Sequence, residues 1–337
     1  MPVPSLPPTP FPPVEVVGYP YWAEVIAQML CQAGFQARHW RIEPARKPWL
    51  LRKIPALGIL PYLLLPLTPR FWRARVIHHV GTLTSRALYP VYRLAHLLGK
   101  RVIVHWVGTD VLEFCRDVQA GRTDLLDFHR RVIQAHFAGC ESLVEELAQA
   151  GLDGAQVFLT LPPGNRLPAE PIPLPAQPAV LTYWPHERRD FYGGPILDQL
   201  ADAFPSVPFY VVGTDGHDEP RHPNMHYLGW VEDMRPVYER ISVLVRLPRH
   251  DGMACGVVET LAHGRWAVFC NPMPHCEHAR DFESARAALE HCLNRTDLNR
   301  AGHEFARTHF DFETECRRIA PLYARVLSGE KPESHSV

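Results

Sequence analysis

Asp251 and Glu259 stand eight positions apart in the run DGMACGVVE. Two carboxylates bracketing a small-residue turn are suited to holding hydroxyl groups, because an ionised carboxylate accepts several hydrogen bonds and charged acceptors make the stronger ones. Ser242 to Leu247 is a short apolar run of strand character, Ala254 to His263 has helical composition ended by Gly264, and Trp266 to Cys270 again reads as a strand. This predicts a strand, a loop, a helix and a second strand. A helix start presents unpaired N–H groups and a partial positive charge, so a phosphate or a cluster of sugar hydroxyls would sit well there. The other reading has Asp251 capping the helix and Glu259 lying on its solvated face.

At 337 residues, with 46% hydrophobic composition, the chain exceeds one ordinary core and predicts two domains. Strand-like and helix-like stretches alternate from Val14 to Leu161, with strands expected at Val14–Gly18, Phe35–Trp40, Val76–Gly81, Arg101–Gly108 and Gln156–Leu161. Residues 162–178 hold seven prolines, which continue neither a helix nor a central strand, and read as a linker. Alternation resumes over 179–310, and a last helix is expected over 311–328. Such alternation predicts an α/β fold of two doubly wound, Rossmann-like parallel sheets. Residues 1–13 are proline-rich, lack the charged start and apolar run of a signal peptide, and read as an unstructured tail.

The net charge of -1 conceals an asymmetry. Residues 1–110 carry thirteen Lys or Arg against four Asp or Glu, while the remainder carries twenty-two against thirty-two. No acidic residue lies between Glu43 and Asp110. Within that stretch, residues 46–75 are apolar, interrupted by prolines and flanked by basic residues and tryptophans. They are too short and too broken to cross a bilayer, which needs about 20 apolar residues. They suit an anionic membrane surface, or alternatively a core segment with an Arg-rich rim. The eight cysteines form no Cys-x-x-Cys pair and suggest a reducing, cytoplasmic setting.

The second half resembles the retaining glycosyltransferases of the GT-B architecture, in particular the group called family 4. His226-Tyr227-Leu228-Gly229-Trp230-Val231 is similar to a family strand, and Asp251 through Glu259 is similar to its E-x7-E motif with Asp at the first position. The resemblance implies two domains with a cleft between them, the first for the acceptor and the second for a nucleotide sugar, and a last helix crossing back to the first domain. It implies that Asp251 contacts the donor sugar, that Gly252, Met253 and Ala254 offer backbone N–H groups, and that Glu259 holds the ribose. The family's diphosphate clamp, an Arg and a Lys, falls on Arg188 and Tyr192, so the Lys is missing and Arg189 or Arg246 is left to replace it. His105-Trp106-Val107-Gly108-Thr109-Asp110 resembles the family's loop in which a His sits near the reacting sugar. That gives His105 a catalytic position beside Asp251 and Arg188, and puts Asp110 on the acceptor side. Gly18, at the exit of the first strand, would let the diphosphate approach the backbone.

These readings imply a glycosyltransferase that retains configuration, moving a hexose-like sugar from a nucleoside diphosphate to a glycan or lipid-linked acceptor. The resemblance implies no metal and no other cofactor. No Asp-x-Asp occurs, and the Cys270–His278 stretch matches no zinc spacing; His275 is placed near the substrate. Nucleic acid is not an expected partner. The protein would be cytoplasmic, peripheral on the inner face of the membrane. A sugar-nucleotide epimerase of the same fold and a non-catalytic nucleotide-sugar-binding protein remain alternatives.

Overall fold

The computed structural model describes residues 11–40, 60–162, 167–217, 219–220 and 222–329. The expected tail (apart from 11–13), residues 46–59 of the basic segment and residues 163–166 of the expected linker lie outside them. The chain divides into two compact units, Met1–Asn165 with Phe312–Val337, and Arg166–Asp311.

Unit 1 is built on β1 (Val14–Gly18), α1 (Pro20–Gln32), β2 (Ala37–His39), β3 (Val76–Val80), α2 (Tyr89–Leu97) and β4 (Arg101–Trp106). It continues through α3 (Thr109–Gln119), α4 (Thr123–Val132), β5 (Ala135–Ala138), α5 (Glu141–Gln149) and β6 (Gln156–Val157). Its strands are all parallel, in the order β2-β1-β3-β4-β5-β6. Parallel strands covered on both faces read as continuous apolar runs, which is why β1, β3 and β5 are buried along their whole length.

Unit 2 repeats the plan with β7 (Val180–Tyr183), α6 (Gly194–Ala203), β8 (Phe209–Val212), β9 (Met225–Tyr227), β10 (Val243–Arg246) and α7 (Cys255–Ala262). It ends with β11 (Trp266–Phe269), β12 (Glu277–His278), α8 (Phe282–Leu293) and α9 (Arg300–His309). The order β12-β11-β10-β7-β8-β9, again all parallel, places β8 and β9 on one side of β7 and β10, β11 and β12 on the other. The last helix, α10 (Phe312–Ser328), falls in unit 1. It buries Cys316, Ile319, Tyr323 and Val326, spaced so that they share one face, against the side of the sheet that α1 also covers.

Two expectations change. The helices α3 and α4 and strand β5 fill 109–138, where the sequence reading placed no element after the β4 loop. The described part of the proline-rich stretch is also fastened along unit 2. Arg265 has no exposed surface, and it donates to the carbonyls of Ile172 (2.8 Å), Pro173 (2.7 Å) and Tyr238 (2.9 Å). Arg307 reaches the carbonyl of Ala169 at 2.6 Å. A guanidinium can satisfy three carbonyls at once, so these prolines run as a strap on the unit.

Candidate functional site

In a doubly wound sheet the crevice for a ligand opens outside the carboxyl ends of the two strands where the winding reverses. In unit 2 those strands are β7 and β10, neighbours in register with Val243 beside Val180 and Leu244 beside Leu181. The residues of interest leave from their ends. After β7 the chain runs through Trp184 to Gly193 into α6, and after β10 it runs through Leu247 to Ala254 into α7.

The two loops are packed together by glycine. Gly193 has φ +81°, and a Cβ there would stand 2.5 Å from the carbonyl oxygen of Leu247. No other residue permits that approach. The Arg249 N–H donates to the carbonyl of Phe191 at 2.8 Å, closing the contact.

Arg246 ends β10 and anchors the loop that follows it. Its Nε donates to Asp251 Oδ2 at 2.6 Å, and its guanidinium lies over the rings of Tyr183 (5.5 Å) and Tyr192 (5.4 Å). Burial works against its charge, but the Asp251 carboxylate outweighs burial and holds the pKa above the ordinary arginine value. Asp251 Oδ1 accepts the Gly252 N–H at 3.1 Å, and Asn271 Nδ2 donates to the Asp251 carbonyl at 2.9 Å. Asp251 is therefore a pinned partner of Arg246. It is not a helix cap, because the N-cap of α7 is Ala254 and no side chain closes that end.

The first turn of α7 is open in a second respect, since a Cβ built on Gly256 meets nothing within 4 Å. One turn on, Glu259 is half-buried and its Oε2 accepts the Tyr238 hydroxyl at 2.7 Å. The phenol fixes the carboxylate on the α7 face. Burial, with Glu259 beside one and Asp251 beside the other, pushes the Cys255 and Cys270 thiols up to about 12. Both are neutral thiols near pH 7, so neither is an activated nucleophile.

The adjacent arginines after β7 differ. Arg188 is exposed, with its guanidinium 4.6 Å from the centroid of Phe191 and 5.6 Å from that of Tyr192. Arg189 turns inward to Asp198 and to Glu219, whose Oε2 lies 2.8 Å from its Nε, and Glu219 also accepts the Trp184 indole N–H at 3.0 Å. Arg189 is thus committed to the frame of the loop, which leaves Arg188 and Arg246 as the two cations flanking Tyr192. Tyr238 and Tyr183 were not singled out in the sequence. Nothing in their spacing from Asp251 or Glu259 marks them, because they reach the site from other elements.

Unit 1 places its expected residues differently. His105 has no exposed surface; it packs against His78 and Phe158, and its Nε2 lies 2.9 Å from Thr160 Oγ1. Burial lowers its pKa to about 3, so the ring is neutral. From this position the side chain packs within the sheet. Asp110 is 2% exposed and folds back to accept the N–H groups of Val107 (3.0 Å) and Gly108 (2.7 Å). Burial raises it to about 6 despite those hydrogen bonds. It shapes the start of α3 and has little surface left for an acceptor. Gly18 has φ +123°, and a Cβ there would collide with the Val80 carbonyl at 2.0 Å, so close approach of β1 to β3 requires the glycine. His275 is exposed and lies against Phe305 of α9. Among the described residues no group of three or more His, Cys, Asp or Glu gathers as a metal site.

Two parallel, doubly wound six-stranded sheets in one chain, with polar residues at a switch point, define the GT-B architecture. Solved structures similar to this chain include GT-B glycosyltransferases. Anabaena HepE in complex with UDP-glucose matches at a TM-score of 0.65 and 11% identity, over 93% of this chain and 99% of that one. Sucrose-phosphate synthase from Thermosynechococcus elongatus matches at 0.65 and 13% identity, over 95% and 100%. TarM of S. aureus in a complex that includes UDP matches at 0.53 and 9% identity, over 74% of this chain; the chain spans 55% of TarM's length. At these identities the likeness is one of fold. No family model matches the sequence, and no curated protein does.

Proposed function

We propose that this chain is a glycosyltransferase that moves a sugar from a nucleoside diphosphate to an acceptor hydroxyl with retention of configuration. The observation that carries the reading is the arrangement at the end of β10. A charged, pinned arginine, an uncapped helix start and a positioned carboxylate lie within one loop and one turn of helix.

In this reading the diphosphate lies across the first turn of α7, where free N–H groups face it, and Arg188 and Arg246 neutralise its charge. Glu259, held by Tyr238, accepts the ribose hydroxyls. Asp251 keeps Arg246 in place, and a further lone pair can take a hydroxyl of the sugar. Stabilisation of the leaving diphosphate by preorganised donors supplies the main catalytic effect, and the departing phosphate takes the acceptor's proton on the same face. No metal is needed for that step. The transferred group would be a hexose, the acceptor a glycan or a lipid-linked sugar, and the setting cytoplasmic.

The test is incubation of the purified protein with UDP-, GDP- and ADP-sugars, with and without a panel of glycan acceptors, read by mass spectrometry. Release of nucleotide coupled to acceptor growth is expected. Isomerised nucleotide sugar formed without acceptor would make the protein an epimerase instead. Binding without turnover under every condition would make it a binding protein.

A further inference from the structure

We propose that unit 1 docks onto an anionic lipid surface through the segment 60–75 together with the C-terminal end of α2. The segment is asymmetric. Leu65 and Phe71 are buried in the unit's core and fasten it, whereas Leu64, Leu67 and Trp72 point outward, Leu67 at 78% and Trp72 at 57% exposure. The Trp72 indole N–H donates to the Pro66 carbonyl at 2.9 Å, which holds the ring beside the Leu65–Leu67 turn.

A second apolar projection adjoins it. Leu97 is 81% exposed and Leu98 is exposed beside it at the end of α2. Lys100, two residues on, donates to the carbonyls of Trp72 (3.1 Å) and Ala74 (2.7 Å). That ties the two stretches into one surface that large apolar side chains share, which single surface leucines do not produce.

The charge around this surface names the occupant. Arg70, Arg73 and Arg75 are exposed on the same segment, and no acidic residue occurs between Glu43 and Asp110. A surface meant only for water mixes both signs of charge. Leucines and a tryptophan on a segment whose charged residues are all arginines, with Arg70 also 3.8 Å from the buried Glu15 carboxylate, match the interface of an anionic bilayer, where Trp favours the headgroup zone and Arg reaches phosphates while its stem covers apolar surface. Among the described residues no helix is long and apolar enough to cross a membrane, so the contact is with its surface. The proposal is independent of the chemistry assigned to unit 2.

The full-length protein is sedimented with vesicles of phosphatidylcholine, with and without phosphatidylglycerol, at low and high salt. Binding is expected only with the anionic lipid and is lost at high salt, where screening shortens the reach of charge. Leu64→Ser with Leu67→Ser, and separately Arg73→Glu with Arg75→Glu, should each weaken binding about tenfold or more, with unchanged thermal melts because all four side chains are exposed. No binding to anionic vesicles, equal binding to neutral ones, or binding untouched by both double variants would overturn the proposal. So would concentration-dependent dimerisation that Leu64→Ser with Leu67→Ser abolishes, since the patch would then meet a second copy.

Discussion

Two sheets of six parallel strands share one chain, yet the loops outside their switch points are filled with different chemistry. At the end of β10 in unit 2, charge stays near the surface: Arg246 is paired but ionised, Glu259 is half-buried, and Arg188 is exposed. Along β3 and β4 and in the loop after β4 in unit 1 the polar groups are buried. Asp110 is folded onto its own loop, and His78 and His105 are enclosed. The winding differs as well. Read outward from β7, unit 2 has the strand order 3-2-1-4-5-6 of dinucleotide-binding sheets, whereas unit 1 runs 2-1-3-4-5-6. The difference teaches that a residue type at a strand end is not a site until the side chain is seen to have somewhere to reach.

The sharpest way to separate the units is acid. His78, His79, His105, His129 and His136 are all buried in unit 1 with pKa values lowered by burial, to about 4 for His79 and about 3 for His105 and His136. Such groups bind protons more readily unfolded, so their stability is complete above the unfolded value near 6.5 and is lost as pH falls from there towards 3. His79, His105 and His136 each lose about 2 kcal/mol between pH 6.5 and 5, and His78 and His129 change in the same direction. Glu15, raised by burial to about 7, and Asp110, raised to about 6, act in the opposite sense and lose stability as pH rises. Two carboxyls returning about 1–3 kcal/mol each do not offset five histidines. Unit 1 should therefore open before unit 2 at pH 5, measured as proteolytic cleavage mapped to residues 11–162. Simultaneous loss of both units, or earlier loss of unit 2, would break the contrast.

The neighbouring arginines of unit 2 give the next largest effect. Arg189→Ala removes the guanidinium from Glu219 and from Asp198, which keeps only His222 at 3.1 Å, and should cost about 3 kcal/mol by denaturant titration. Arg188→Ala, on an exposed side chain, should leave stability unchanged and weaken nucleoside diphosphate binding about tenfold. The smallest effect is expected from Tyr192→Lys. If Arg246 already serves as the second cation, adding a Lys changes diphosphate affinity by no more than about threefold, read by calorimetry. A gain of about a hundredfold would mean that the clamp is incomplete as the chain stands.

The fold was largely legible because strands such as Val14–Gly18 and Val243–Arg246 are short apolar runs between glycines and helices, as buried parallel strands must be. Strand β5 was not, because Ala-His-Phe-Ala carries no β-branched residue and its burial comes from neighbours. Helices α3 and α4 are rich in charge, which thins the apolar stripes that mark them as helices. In the site, spacing pointed to Asp251 and Glu259 because both lie in one continuous loop and helix. It could not point to Tyr238, which reaches Glu259 from another element, nor settle whether Arg188 or Arg189 faces outward. Nor could it tell that His105 is enclosed, since spacing along a strand does not report burial.

The central claim is that the β7/β10 switch point of unit 2, and not the strand ends of unit 1, binds the nucleoside diphosphate. Calorimetric titration of UDP, GDP and ADP into the wild-type chain, Glu259→Ala and His105→Leu tests it most directly. The account predicts that at least one nucleotide binds, that Glu259→Ala weakens it by about thirtyfold or more, and that folded His105→Leu binds within about twofold of wild type. Absence of binding by all three nucleotides, unchanged affinity in Glu259→Ala, or loss of binding confined to a folded His105→Leu would contradict it.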